Sequence, residues 1–250
     1  MFLLDEHQVV RPGEIGTVDE IQRQAVAKGL TVRQVELDAQ FRCGGSRLYE
    51  DWVLGLLGLD GKQPVAWDGD DHFDVSVAES PYELESVLKD RLDAGYSARM
   101  TAGFCWRWSN PDGDRLIPDV VIGDWARPWN AKGDRSVGGA LPSALWATLD
   151  GGFGQVGCVY TAQGFEYDWN GVIVGPDLVY REGRLVTVRN ASKDPALVKG
   201  TVSDAQADRL IRNTYKVLLT RGMMGTILYS TDGGTQRFLA TVADRFRRSW

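Results

Sequence analysis

The sequence predicts an α/β protein: a parallel sheet with helices on both faces. Three observations lead there. Short apolar runs such as G-V-I-V at 171–174 and T-I-L-Y at 226–229 are near-continuous, as strands are when both their faces are covered. These runs alternate along the chain with stretches of helical period that open on Ser or Thr caps, the order expected of an α/β sheet. The chain has 250 residues and is 43% hydrophobic, enough to bury a sizeable core as one large or two small domains.

In chain order, Phe2, Leu3 and Leu4 read as the end of a buried strand. Thr17 and Glu20 form a capping box for a helix carrying Ile21, Ala25 and Val26, with Gly29 as its stop. Residues 31–37 alternate as a strand does, a helix follows over 46–57, and the acidic stretch 60–74 reads as a loop. Ser80-Pro81-Tyr82-Glu83 starts a helix with Leu84, Val87, Leu88 and Leu92 on one face and Gly95 at its end. A strand over 97–105 leads into residues 106–154, rich in Trp, Gly, Pro, Asp and Asn, where long irregular connections with one short helix near Leu145 are expected. Strands are then expected at 156–160 and 171–174 with a helical segment between them, and a hairpin at 179–188. Ser203 to Gln206 caps a long helix reaching Leu219, 226–229 is a strand, and a last helix runs from about Gly234 to the end.

Composition narrows the class. Cys43, Cys105 and Cys158 have no paired spacing, so neither a disulfide framework nor a zinc site is expected, and reduced cytoplasmic thiols are. No apolar run approaches the roughly 20 residues that span a bilayer, and the start is too quickly acidic for a signal peptide, so a soluble chain without a membrane partner is expected. A net charge of -6 argues against a general nucleic-acid coat, although it leaves a local basic cleft open.

Four segments carry the chemistry: DEHQVV at 5–10, LDAQFRC at 37–43, YTAQGFEYDWNGVIV at 160–174 and NTYKVLLTRGMMGTILYS at 213–230. Arg221 ends an amphipathic helix just before an apolar strand. A planar cation there suits a phosphate, or else serves as an ordinary surface arginine at a helix C-terminus. Gln163, Gly164 and Glu166 lie between two buried strands, where Gly permits close approach and a carboxylate accepts ribose hydroxyls; the alternative is a plain turn. Phe104, Trp106, Trp108, Trp125 and Trp129, interleaved with Arg107 and Arg127, suit either base stacking or packing of a loop-rich core. Asp68, Asp70, Asp71, His72 and Asp74 fit no calcium-loop spacing and read as a solvated acidic loop.

In this order the segments resemble the later motifs of superfamily 1 helicase-like P-loop NTPases. More narrowly, the chain resembles the Schlafen group 3-type DNA/RNA helicase domain family, on F-x-x-D-x-x-Q-V-V-R-P-x-E-I-G, QFRC, A-G-x-C-W-x-W, YTAQGFEYD and Y-x-V-L-L-T-R-G-M, from Met1 to about Asp232. The resemblance implies a RecA-like lobe and assigns roles. Asp5 and Gln8 match a D-x-x-Q element whose glutamine senses the γ-phosphate. Arg42 and Arg221 match two arginines presented to that phosphate, where an arginine finger supplies a factor of roughly a thousand or more. Glu166 matches the acid near the ribose, and Thr161, Gln163 and Gly164 the motif linking nucleotide to nucleic acid. Trp106 and Trp108 are the candidate base-stacking residues.

No G-x-x-x-x-G-K-[ST] phosphate loop occurs: Gly61-Lys62 is followed by Gln63-Pro64, and Lys199-Gly200 has the wrong order. The expectation is therefore the carboxy-terminal part of an ATP-dependent helicase-like enzyme. Residues 1–30 are then a remnant of the first lobe, and residues 31–250 the second RecA-like lobe with a loop-rich insertion at about 106–154. ATP and Mg²⁺ belong to the intact protein, with neither bound tightly by this chain alone. The partners implied are single-stranded DNA or RNA and the missing amino-terminal lobe. Two rivals stand beside this: a short non-catalytic module that binds nucleic acid or protein, and a reading in which Asp5 and Glu6 are themselves metal ligand and base.

Overall fold

The computed structural model describes residues 4–14, 17–35, 42–198 and 201–243. Its helices are α1 (Val18–Ala27), α2 (Arg47–Leu56), α3 (Pro81–Asp93), α4 (Val159–Ala162), α5 (Pro195–Val198), α6 (Asp204–Leu219) and α7 (Gly233–Ala243). The strands are β1 (Asp74–Val77), β2 (Ala98–Ala102), β3 (Val120–Ile122), β4 (Trp125–Arg127), β5 (Val156–Gly157), β6 (Tyr167–Val174), β7 (Leu178–Arg181), β8 (Arg184–Thr187) and β9 (Gly222–Ser230). β1, β9, β6, β2 and β5 form one parallel sheet in that order, while β3–β4 and β7–β8 are antiparallel hairpins.

Side chains alternate across a strand, so neighbouring residues feed opposite cores. Val172, Val174 and Leu228 join α2, α6 and α7 on one face, whereas Trp169, Ile173 and Ile227 join Leu84 and Leu88 of α3 on the other. This is the α/β sheet with helices on both faces that the sequence predicts. Gly171 lets α3 sit close, because a Cβ there would lie 2.5 Å from Leu88 Cδ1. The 106–154 stretch closes the α3-side core with Val120, Trp125 and Trp129, and it holds a short 3₁₀ turn at Ser143–Leu145.

Helix starts follow their caps. Thr17, Ser46, Ser80 and Ser203 each accept a hydrogen bond from the backbone N–H three residues on, and at Ser203 the Gln206 side chain completes the reciprocal box.

Five expectations are corrected. Residues 31–35 form no strand; all five are exposed, and no partner strand lies beside them among the described residues. Alternation alone does not hold a strand without a neighbour to pair with. At 156–160 the strand stops after Gly157, and Val159 already begins α4, because a short apolar run suits either element. The acidic loop ends earlier than expected, since Asp74 starts β1, an edge strand paired with β9. The irregular stretch contains the β3–β4 hairpin around Gly123, whose φ is 61°. Leu4, the last residue of the expected strand end, is not in a strand; residues 2–3 of that end, residues 36–37 of the expected second strand, most of the LDAQFRC segment (37–41) and the tail of the last helix lie outside the described residues.

Candidate functional site

Distant segments converge at the amino-terminal ends of β6 and β9. Glu166 immediately precedes β6 and Arg221 immediately precedes β9, and the Tyr167 N–H donates to the Arg221 carbonyl at 3.2 Å. The turn carrying Arg42 is pinned beside them. Cys43 and Gly44 both have positive φ, and a Cβ on Gly44 would lie 2.6 Å from the Met223 carbonyl oxygen, so only glycine lets this turn approach β9.

Arg42 reaches two acids from two other segments: Asp5 Oδ2 at 3.5 Å and Glu166 Oε1 at 3.7 Å. Both are longer than the 2.7–2.9 Å of a short charge-assisted bond. Beneath lies Lys216, whose ammonium bridges Asp5 Oδ2 at 3.2 Å and Glu50 Oε1 at 3.3 Å with 2% of its side chain exposed. Gln8 Nε2 donates to Asp5 Oδ2 at 2.8 Å, and Gln163 Nε2 donates to the Gln8 carbonyl at 3.0 Å. Gly164, at φ 94°, turns the chain between Gln163 and Glu166. Asn213 on α6 donates to the Glu6 and Val9 carbonyls, and Val10 is buried in the α6-side core, so the DEHQVV segment is held along its length.

Arg221 is only 1% exposed. Its Nε donates to the Val217 carbonyl at 2.9 Å, and one terminal nitrogen to the Phe165 carbonyl at 3.3 Å. Burial, with the Arg42 charge beside it, lowers its pKa from the usual arginine value. For Asp5, burial alone raises the pKa, but Lys216, Gln8 and the His7 N–H outweigh it and hold the carboxyl below its ordinary value. Burial, reinforced by Glu50, pushes the Cys43 thiol up to about 12, so it stays protonated and unreactive at neutral pH.

The predicted residues thus fall into three places. Asp5, Gln8, Arg42, Gln163, Gly164, Glu166 and Arg221 gather in one cluster. Thr161 is buried in α4, its hydroxyl 3.7 Å from the Cys158 sulfur. Trp106 and Trp108 lie beyond the opposite, carboxyl end of β2; Trp106 donates its indole N–H to the Val121 carbonyl, and Trp108 lines a separate cleft. Lys216 and Glu50 escaped the sequence reading. The available signal was a lysine within the apolar run Y-K-V-L-L, where only a partnered cation is tolerated.

Comparison with known proteins bears on this arrangement. The family model described as Schlafen group 3, DNA/RNA helicase domain, matches residues 1–232. The chain belongs to this family. An uncharacterized protein of Saccharomyces cerevisiae is 29% identical over 164 residues, which is 63% of this chain and 29% of the yeast protein. The helicase-domain chain therefore spans less than a third of that relative. No helix among its described residues is long and apolar enough to cross a membrane.

Proposed function

We propose that this chain is the second, RecA-like lobe of an ATP-dependent DNA/RNA helicase-like NTPase, and that the Arg42 cluster is its half of the nucleotide site. One observation carries the reading: Asp5, Gln8, Arg42, Gln163, Glu166 and Arg221, from four separate segments, converge at the amino-terminal ends of two neighbouring strands, β6 and β9. The helicase-domain family match supports it.

The donor set fits a triphosphate. Two guanidiniums supply charge, and Arg42 is paired loosely enough to exchange Asp5 and Glu166 for phosphate oxygens, which take a bidentate fork well. ATP contributes the phosphoryl group whose charge these arginines stabilise. Arg221 adds a charge from behind and reaches the phosphate directly only by giving up its 3.3 Å bond to Phe165. Gln8, tied to Asp5 and Gln163, reports occupancy to α4; Glu166, once released by Arg42, accepts ribose hydroxyls. Among the described residues no group of three His, Cys, Asp or Glu side chains is placed to hold a cation. The phosphate loop and the metal ligands belong, in this reading, to a separate lobe.

ATP turnover tests it. The chain alone should hydrolyse essentially no ATP, while a longer protein containing it and a phosphate-loop lobe should. In that protein Arg42→Ala should lower kcat by about a thousandfold with a smaller change in KM. Undiminished turnover in both Arg42→Ala and Arg221→Ala would remove the proposed roles.

A further inference from the structure

At the carboxyl end of β2 lies a cleft of about 530 Å³ lined by Phe104, Arg107, Trp108, Lys132, Lys193 and Pro195. We infer that this cleft takes an unpaired nucleobase together with the phosphates that flank it, so that the nucleic-acid strand runs along the opposite end of the sheet from the Arg42 cluster. The inference rests on the nucleic-acid reading above and gives it an address.

The aromatic wall is rigid. Phe104 stacks on Trp129 at 5.6 Å, Trp108 lies 6.0 Å from Phe104 and 6.1 Å from Trp129, and the Trp129 indole is fixed to the Arg107 carbonyl at 3.0 Å. Trp108 itself remains part-exposed in the cleft lining, with the Lys132 ammonium 5.6 Å from its ring centroid. Three cations surround it. Arg107, Lys132 and Lys193 are exposed, and none forms an ion pair with a carboxylate among the described residues. Lys132 donates to the Trp108 carbonyl at 2.6 Å and to Asn110 Oδ1 at 3.2 Å, which positions its charge beside the ring without neutralising it. The Lys193 N–H is anchored to the Phe104 carbonyl at 2.7 Å.

Three unneutralised cations in one cleft of a protein with net charge -6 are a local device, not the spill-over of a basic surface. Open α/β sheets also bind ligands beyond the carboxyl ends of their strands. A cleft lined by Phe104 and Trp108 and ringed by cations suits a partner that is both aromatic and anionic. A duplex offers phosphates and base edges, whereas an unpaired base offers its π-face for stacking.

The test is fluorescence anisotropy of the chain, without nucleotide, on a labelled single strand, the same strand carrying abasic sites, and the duplex. The single strand should bind most tightly, and abasic sites should weaken it about tenfold by removing the stacked base. Trp108→Ala should erase that abasic difference. Arg107→Ala with Lys193→Ala, both exposed and so compatible with folding, should lower the slope of log affinity against log salt by about 1.4. Equal binding of intact and abasic strands, or an unchanged salt slope in the double variant, overturns the cleft while leaving nucleic-acid binding elsewhere intact. Absence of binding to every strand overturns the nucleic-acid reading itself, and loss of ATP turnover in the Arg42 experiment bears on neither.

Discussion

At the scale of single residues, buried charge decides most of what the chain can do. Lys216 is the clearest case, because its ammonium holds acids from two segments distant in sequence. Lys216→Met keeps the volume and removes the cation that Asp5 and Glu50 share, leaving Asp5 its longer contact to Arg42. The expected loss is about 2 kcal/mol in urea unfolding, less than the 3–5 of a wholly buried pair because Asp5 and Glu50 keep 33% and 27% of their side chains exposed. A loss under about 0.5 kcal/mol would show the pair to be ornamental to stability. Asp177 behaves oppositely. Burial raises its pKa from 3.8, against the Cys105 and Tyr215 contacts that lower it. Its folded pKa therefore exceeds its unfolded one, so its contribution is complete below pH 3.8 and is lost as pH rises through the raised value. Asp177→Asn retains an oxygen for the Tyr215 hydroxyl and carries no charge. Its stability relative to the parent should climb from acidic to neutral pH, and a pH-independent difference would contradict this account.

Elements fold where local signals and packing agree. The Ser203–Gln206 box opens α6, the helix that bears Asn213, Lys216 and the approach to Arg221. Ser203→Ala should cost about 1 kcal/mol, read as a shift in the unfolding midpoint without a change in slope. Gly171→Ala should cost about 1–3 kcal/mol, since the added methyl meets Leu88 and Leu84 of α3 across the sheet. Where the reading failed, a local signal lacked its partner or a partner lacked its signal. Residues 31–35 alternate without a strand beside them, whereas β1, with its polar start at Asp74, exists because β9 pairs with it. The wrapped stretch around 143–152 is likewise held from outside: buried Arg99 on β2 donates to the Trp146 and Leu149 carbonyls.

For the molecule as a whole, stability is uneven. The sheet core around β6 and β9 is buried on both faces, while α1 buries none of its residues and leaves Val26 76% exposed. Hydrogen exchange should therefore find α1 amides weakly protected and those of β6 and α6 released only by global unfolding. Comparable protection in α1 would mean that its apolar face is covered in solution. The two candidate sites lie at opposite ends of the same sheet, joined by α4. Gln163 touches the DEHQVV segment at one end of that helix, and Tyr160, under the Arg11 guanidinium at 4.3 Å, touches Phe104 at the other.

By itself the sequence determined the α/β class, most helix starts and the ordered motifs that mark the family, because caps, apolar periods and motif order are local properties of the chain. It also supplied the residue types of the Arg42 cluster. Only the tertiary structure decided that Lys216 lies beneath that cluster, that Arg221 is buried rather than at the surface, and that Trp108 lines a cleft with Lys132 and Lys193 while Trp106 does not. Those facts depend on which distant segments share a neighbourhood, and burial and charge pairing arise only when the sheet brings them together.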